Sequence, residues 1–179
     1  MDITIKNLKN EKGLLRALID ILPDWIYIKD INARKILANA ADLKNLGVKL
    51  EADALGKDDY SFFPDKVAAA FYMDDMAVLG GGQTIVNRKE SFISPTGEVR
   101  WSLTTKIPVR DASGNIVGLI GIGRDITKQI QMQKSALLLI DEIGLAMKAG
   151  KFETAKDLMP ILKKRVAQAG PDDRTDASE

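Results

Sequence analysis

A chain of 179 residues, 45% hydrophobic and 28% charged, has the composition of a globular protein, sized for one domain plus extensions. It holds neither cysteine nor histidine, which excludes disulfides, thiolate metal ligands, covalent flavin–cysteine photochemistry, an imidazole base, histidine-ligated haem and a phospho-accepting histidine. A net charge of +1 gives no reason to expect a nucleic-acid partner, and no apolar run approaches a membrane span; with no apolar core behind Met1-Asp2-Ile3-Thr4, the expectation is a cytoplasmic protein with neither nucleic acid nor membrane as partner.

Residues 4–22 place Ile5, Leu8, Leu15, Ile19 and Leu22 at spacings of three, four or seven. That predicts a helix with one apolar stripe, weakened at Gly13 by about 1 kcal/mol relative to alanine. Pro23 ends it. Trp25-Ile26-Tyr27-Ile28-Lys29 reads as a strand, Asp30-Ile31-Asn32-Ala33 as a turn and Lys35-Ile36-Leu37-Ala38 as the returning strand. Asn39 caps a short helix over 40–46, which Gly47 terminates. Residues 53–61 read as loop with a turn or two of helix, followed by the aromatic cluster Phe62-Phe63-Pro64.

Residues 65–79 form a helix with Val67, Phe71, Met76 and Leu79 toward one side. Gly80-Gly81-Gly82 stops it. That triple glycine leaves a helix rather than opening one, and no Lys-Ser/Thr follows, so it is a connector and not a phosphate loop. An antiparallel meander then occupies 85–122. Its first run ends at Ser94-Pro95-Thr96-Gly97-Glu98, its second (100–109) at Asp111-Ala112-Ser113-Gly114-Asn115, and its third is almost wholly apolar.

After Gly123-Arg124-Asp125-Ile126-Thr127 a long helical pattern begins. Ile126, Ile130, Leu137, Ile140 and Met147 recur at heptad spacing, with Gln133 and Gly144 filling the register, which suits a coiled coil or a small bundle. Ala149-Gly150-Lys151 breaks the pattern; 152–169 resumes it, with Pro160 a kink or a division. The expected domains are an N-terminal helix (1–22), an α+β core (23–127), a helical hairpin (128–169) and a polar, disordered tail (170–179).

The core resembles a PAS domain over about residues 14–128. The resemblance rests on Leu22-Pro23-Asp24, Asp30, Asn39, Gly56-Lys57, Phe62-Phe63-Pro64, Trp101, Asp111-Ala112-Ser113-Gly114 and Arg124-Asp125-Ile126-Thr127. It implies an α+β PAS fold, a five-stranded antiparallel sheet whose concave face is closed by a helical insert and can hold a small ligand. It also implies a sensory module rather than an enzyme, one that forms a homodimer, acts on a downstream signalling protein and couples its pocket to flanking helices. Without cysteine or histidine, the covalent flavin, coumaroyl and usual haem classes of the family are closed. What remains is a small organic ligand, such as a carboxylate or lipid, a non-covalent flavin that no feature favours, or no ligand, the module then serving interaction alone.

Aligning Pro108 with its counterpart in flavin-type members of the family turns Ser102, Thr104 and Lys106 inward, with Tyr27, Lys29, Phe92, Gly121 and Gly123. The ligand-binding candidates are therefore Tyr27, Lys29, Asn39, Phe62, Phe63, Phe92, Ser102, Thr104 and Lys106. Asn39 is also a helix cap, and Tyr27, Phe62 and Phe63 also fit plain core packing. A buried lysine requires a carboxylate, from Glu90 or from a ligand. If a bulge reverses the phase, Trp101, Leu103 and Ile107 are core instead and the lysines are solvated. Arg124, Asp125 and Thr127 are the candidate signal junction, Asp125 capping the output helix.

Overall fold

The computed structural model describes residues 11–169. The first part of the predicted N-terminal helix and the predicted disordered tail lie outside the described residues. Two compact units divide between Asp125 and Ile126.

In the first unit, α1 (Glu11–Ile21) leads into β1 (Trp25–Asp30) and β2 (Lys35–Ala38). Next come α2 (Ala40–Leu46), two 3-10 turns (Glu51–Asp53 and Asp59–Ser61) and α3 (Asp65–Leu79). Strands β3 (Ile85–Ile93), β4 (Val99–Arg110) and β5 (Ile116–Asp125) complete one antiparallel sheet in the order β2-β1-β5-β4-β3. The first and last strands in sequence thus lie side by side at the centre, and the helical insert crosses one face.

Turn chemistry sets these boundaries. Gly97 and Gly114, both at φ +84°, supply the left-handed residues of the β3–β4 and β4–β5 turns. Asp111 Oδ1 accepts from the backbone N–H of Ser113 and of Asn115, both at 2.9 Å. Asn39 caps α2, and Gly47 at φ +75° closes it.

The β4–β5 register is regular from Ser102 to Val109, and its one irregularity falls between Val109 and Arg110. A bulge therefore does not reverse the phase over 102–106. Ser102, Thr104 and Lys106 are buried on the concave face. On the convex face Ile107 and Ile122 remain 40% and 41% exposed. The described part of the N-terminal helix, α1, packs chiefly on α2. There Arg16 bonds the Ala38 carbonyl at 2.9 Å and Glu51 at 2.7 Å.

β5 runs three residues further than expected, because Arg124 and Asp125 pair with Leu103 and Ser102. Asp125 is therefore the last residue of the strand.

In the second unit, α4 (Thr127–Lys148) and α5 (Phe152–Ala169) pack as a hairpin, turned at Gly150 with φ +70°. The N-cap residue of α4 is Ile126, without a side-chain cap. Pro160 lies inside one continuous α5. Ala136, Ala146 and Ala155 are buried, while the heptad residues Leu137, Ile140 and Met147 are exposed.

Candidate ligand-binding site

Two glycines on β5 make room for the site. Gly121 is opposite Tyr27 and Gly123 opposite Trp25 in the β1–β5 ladder. A Cβ on Gly121 would lie 2.1 Å from Tyr27 Cζ, and one on Gly123 would lie 2.7 Å from Trp25 Cε3. The two aromatic rings therefore lie flat across the sheet where any side chain on β5 would lift them. Trp25, Phe63, Phe71 and Phe92 form a continuous edge-to-face cluster, with centroids 5.3–5.9 Å apart between Trp25–Phe92, Phe63–Phe71, Phe63–Phe92 and Phe71–Phe92. Each such pair adds about 0.5–1.5 kcal/mol beyond its burial.

Beside this aromatic wall stands a buried ionic network. Lys29 Nζ donates to Asp59 Oδ2 and to Asp75 Oδ2, both at 2.5 Å. Lys106 Nζ reaches Asp75 Oδ1 at 2.5 Å and the Phe71 carbonyl at 3.2 Å. Lys35 Nζ pairs with Asp42 Oδ2 at 2.8 Å and sits 4.0 Å from the Tyr27 ring centroid, a cation–π contact. The lysines come from the sheet, the aspartates from the helical insert. Charge matching thus fastens α2 and α3 to the concave face, together with the apolar stripe.

Burial alone would lower the pKa of Lys29, but Asp59 and Asp75 together hold it above its ordinary value. For Lys106 burial prevails over Asp75, aided by repulsion from Lys29, and the pKa falls. Burial likewise prevails at Asp42, raising its pKa, whereas Lys29 and Lys35 outweigh burial at Asp59 and lower it. The Tyr27 phenol is pushed well up, first by burial and then by Asp75 and Asp59.

Between the sheet, α2 and α3 lies a cavity of about 40 Å³. Since one water needs roughly 10–15 Å³, this is space for about three waters or a molecule of a few heavy atoms. Five aromatic rings line it, those of Trp25, Tyr27, Phe63, Phe71 and Phe92. Ser102, Thr104, Lys106 and Glu90 form its floor; Lys35, Asp42, Asn45 and Asp59 close the side. Thr104 Oγ1 lies 3.2 Å from Ser102 Oγ. Tyr27 presents its ring to the cavity, and among the described residues no buried side-chain nitrogen or oxygen is left without a hydrogen-bond partner.

Tyr27, Phe63, Phe92, Ser102, Thr104 and Lys106 of the sequence candidates meet around this cavity. Lys29 lies behind it in the ionic network. Phe62 packs on the edge of the apolar core, its ring 5.9 Å from Lys57 Nζ. Asn39 is fully buried, and its side chain is occupied by the fold. Oδ1 accepts from the Ile26 and Asp42 amides, and Nδ2 donates to the Ile19 and Asp24 carbonyls. The carboxylates that meet the two predicted lysines are Asp59 and Asp75, not Glu90.

At the end of the sheet, Arg100 joins the site to the junction. Its Nη1 donates to Asn45 Oδ1 at 2.9 Å, its Nη2 pairs with Asp125 Oδ2 at 2.8 Å, and its guanidinium lies 5.5 Å from the Trp25 ring. Arg124, beside it, forks onto Asp24 at 3.1–3.2 Å. Thr127 begins α4.

A five-stranded antiparallel sheet closed by a helical insert over a small mixed-polarity cavity defines a sensor-type core. The chain belongs to the PAS fold family, whose model matches residues 19–131. It is 31% identical over 112 residues to the methanogenesis regulatory histidine kinase FilI of Methanothrix harundinacea, covering 63% of this chain and 12% of the kinase. Among solved structures, the Vibrio cholerae VqmA dimer superposes with a TM-score of 0.57 at 29% identity, covering 71% of this chain and 53% of that one. VqmA bound to DPO gives 0.56 at 26%, covering 85% and 78%. The chain thus spans an eighth or so of the kinase and about half of the VqmA dimer's chain. Its core is a sensory signalling module of the kind found in such regulators.

The exclusion of nucleic acid is corrected by these matches, since VqmA is described with target DNA and a DNA-binding mechanism. Whole-chain charge was the wrong measure. Binding to phosphates depends on local clusters of Lys and Arg, which a net charge of +1 averages away. Among the described residues no helix is long and apolar enough to cross a membrane.

Proposed function

We propose that this PAS core binds a small organic molecule in the cavity under α3 and passes its occupancy to the start of α4 through Asn45, Arg100 and Asp125. The cavity carries this reading. It is small, walled by aromatic rings, and lined by the polar side chains of Ser102, Thr104, Glu90 and Asn45. The cavity is lined from α2, α3 and all five strands, so a ligand there favours one arrangement of the insert over others. The relation to VqmA bound to DPO supports a small-molecule occupant.

The site binds and does not turn over its ligand. Its buried lysines and aspartates are mutually paired, which leaves no arranged set of acid, base and nucleophile. Asn45 lines the cavity and bonds Arg100, which bonds Asp125, the last residue of β5. Through this chain of contacts, displacement of α2 reaches the strand that continues into α4.

A thermal-shift screen of small metabolites tests the reading. The expectation is a ligand that raises the melting temperature of the wild type and not of Ser102→Leu, whose side chain fills the cavity floor. A ligand that stabilises both equally binds elsewhere and contradicts the site.

A further inference from the structure

Glu90 is the one carboxylate around the cavity that the protein leaves unmatched. It projects from β3 beside Ser102, its partner in the β3–β4 ladder. Its hydrogen bond from Ser102 Oγ is long, at 3.5 Å, and among the described residues it forms no ion pair. Each other charge at the site is satisfied internally. Lys29 holds Asp59 and Asp75, Lys106 shares Asp75, and Lys35 holds Asp42. Three ammonium groups therefore face four carboxylates, and the lining alone, with Lys35 and Lys106 against Asp42, Asp59 and Glu90, carries the same excess of one negative charge. Arg88, two residues away on β3, is turned to Asp74 and does not neutralise it.

We infer that the cavity selects a small, flat cationic or neutral molecule that presents N–H donors to Glu90, and rejects carboxylates; this rests on the cavity being the ligand site. An anion would enter a volume of net negative charge and low dielectric, where like charges repel far more strongly than in water. It would find both lining lysines already held by aspartates, and capturing one would strip that aspartate of its partner. A planar cation meets the opposite conditions. The Glu90 carboxylate accepts its N–H groups, and the Ser102 and Thr104 hydroxyls bond its edge between the aromatic rings that wall the cavity. The expectation of a carboxylate or lipid occupant thus gives way to an amine-, amidine- or amide-type one.

Three probes of matched size separate the cases: methylguanidinium, acetamide and acetate, titrated at low salt into isotope-labelled protein and followed by amide NMR. Methylguanidinium, and more weakly acetamide, should shift the resonances of residues 88–92 and 102–106, and acetate should leave them in place. Glu90→Gln should weaken methylguanidinium about tenfold or more, the scale of a lost charge-assisted hydrogen bond, while retaining acetamide. Glu90→Lys should admit acetate and exclude methylguanidinium. Glu90 is a half-exposed strand residue, so neither change disturbs the core. Acetate binding to the wild-type cavity, or methylguanidinium binding indifferent to Glu90, overturns the inference while leaving the cavity a ligand site. If none of the three probes shifts these resonances, the cavity is no site for small polar molecules and both readings fall.

Discussion

Arg100 and Asp125 meet at 2.8 Å across the β4–β5 edge, and the same guanidinium donates to Asn45 at the cavity at 2.9 Å. One side chain therefore touches both the cavity lining and the last residue of β5. The pair is about 30% exposed, so its direct worth to stability is under about 1 kcal/mol. Its consequence is positional. Arg100→Gln should leave the urea midpoint nearly unchanged and accelerate amide hydrogen exchange at residues 122–127. Unchanged exchange there would remove Arg100 from the coupling.

The two adjacent aspartates of α3 should behave in opposite ways. Asp75 is fully buried between Lys29 and Lys106, whereas Asp74 pairs with the exposed Arg88. Asp75→Ala strips buried Lys106 of its carboxylate and leaves Lys29 with Asp59 alone, and should cost about 3–5 kcal/mol in urea denaturation. Asp74→Ala should cost under about 1 kcal/mol. Comparable losses from the two would show that the buried network does not hold α3 to the sheet.

Acid unfolding should reveal the network with two signs. The folded pKa of Asp59 is lowered, so its contribution is complete above the ordinary carboxylate value of about 3.9 and is lost as pH falls through the lower folded value. The stability gap between wild type and Asp59→Asn should narrow in that interval. Asp42 is raised, so the native state holds its proton more tightly than the unfolded chain. Wild type should therefore gain on Asp42→Asn as pH falls toward about 3.9 from above. Parallel pH profiles for all three proteins would contradict the assignment.

Gly121→Ala should displace the Tyr27 ring, since the added methyl meets Cζ at 2.1 Å. Overpacking of this kind costs about 1–3 kcal/mol and should alter the near-ultraviolet dichroism. Gly144→Ala in α4 meets nothing within 4 Å and should stabilise by about 0.5–1 kcal/mol through helix propensity. A silent Gly121→Ala would mean that Tyr27 does not depend on the glycine for its place.

The sequence discloses these features unevenly, for physical reasons. The meander and its turns follow from period-two alternation and turn residues, whereas alternation alone does not choose which face is inward, and the phase of Ser102, Thr104 and Lys106 rests on the alignment of Pro108 with flavin-type PAS domains. Asn39 is legible as a cap because capping is local. The partners of the lysines are not, since Asp59 and Asp75 lie 30 and 46 residues from Lys29. Asp75 did leave a trace. It stands four residues from both Phe71 and Leu79, inside the apolar stripe, where a solvent-facing aspartate does not belong. The end of β5 is less legible, since Arg124 and Asp125 extend the strand by pairing with Leu103 and Ser102 across the sheet.

The central claim is that the cavity holds a small molecule, and native mass spectrometry of freshly purified protein tests it most directly. The account predicts a stoichiometric added mass that is released on denaturation, is carried by a cationic or neutral compound, and is absent from Ser102→Leu. Bare polypeptide from wild type, together with no thermal shift across the metabolite screen, would contradict it.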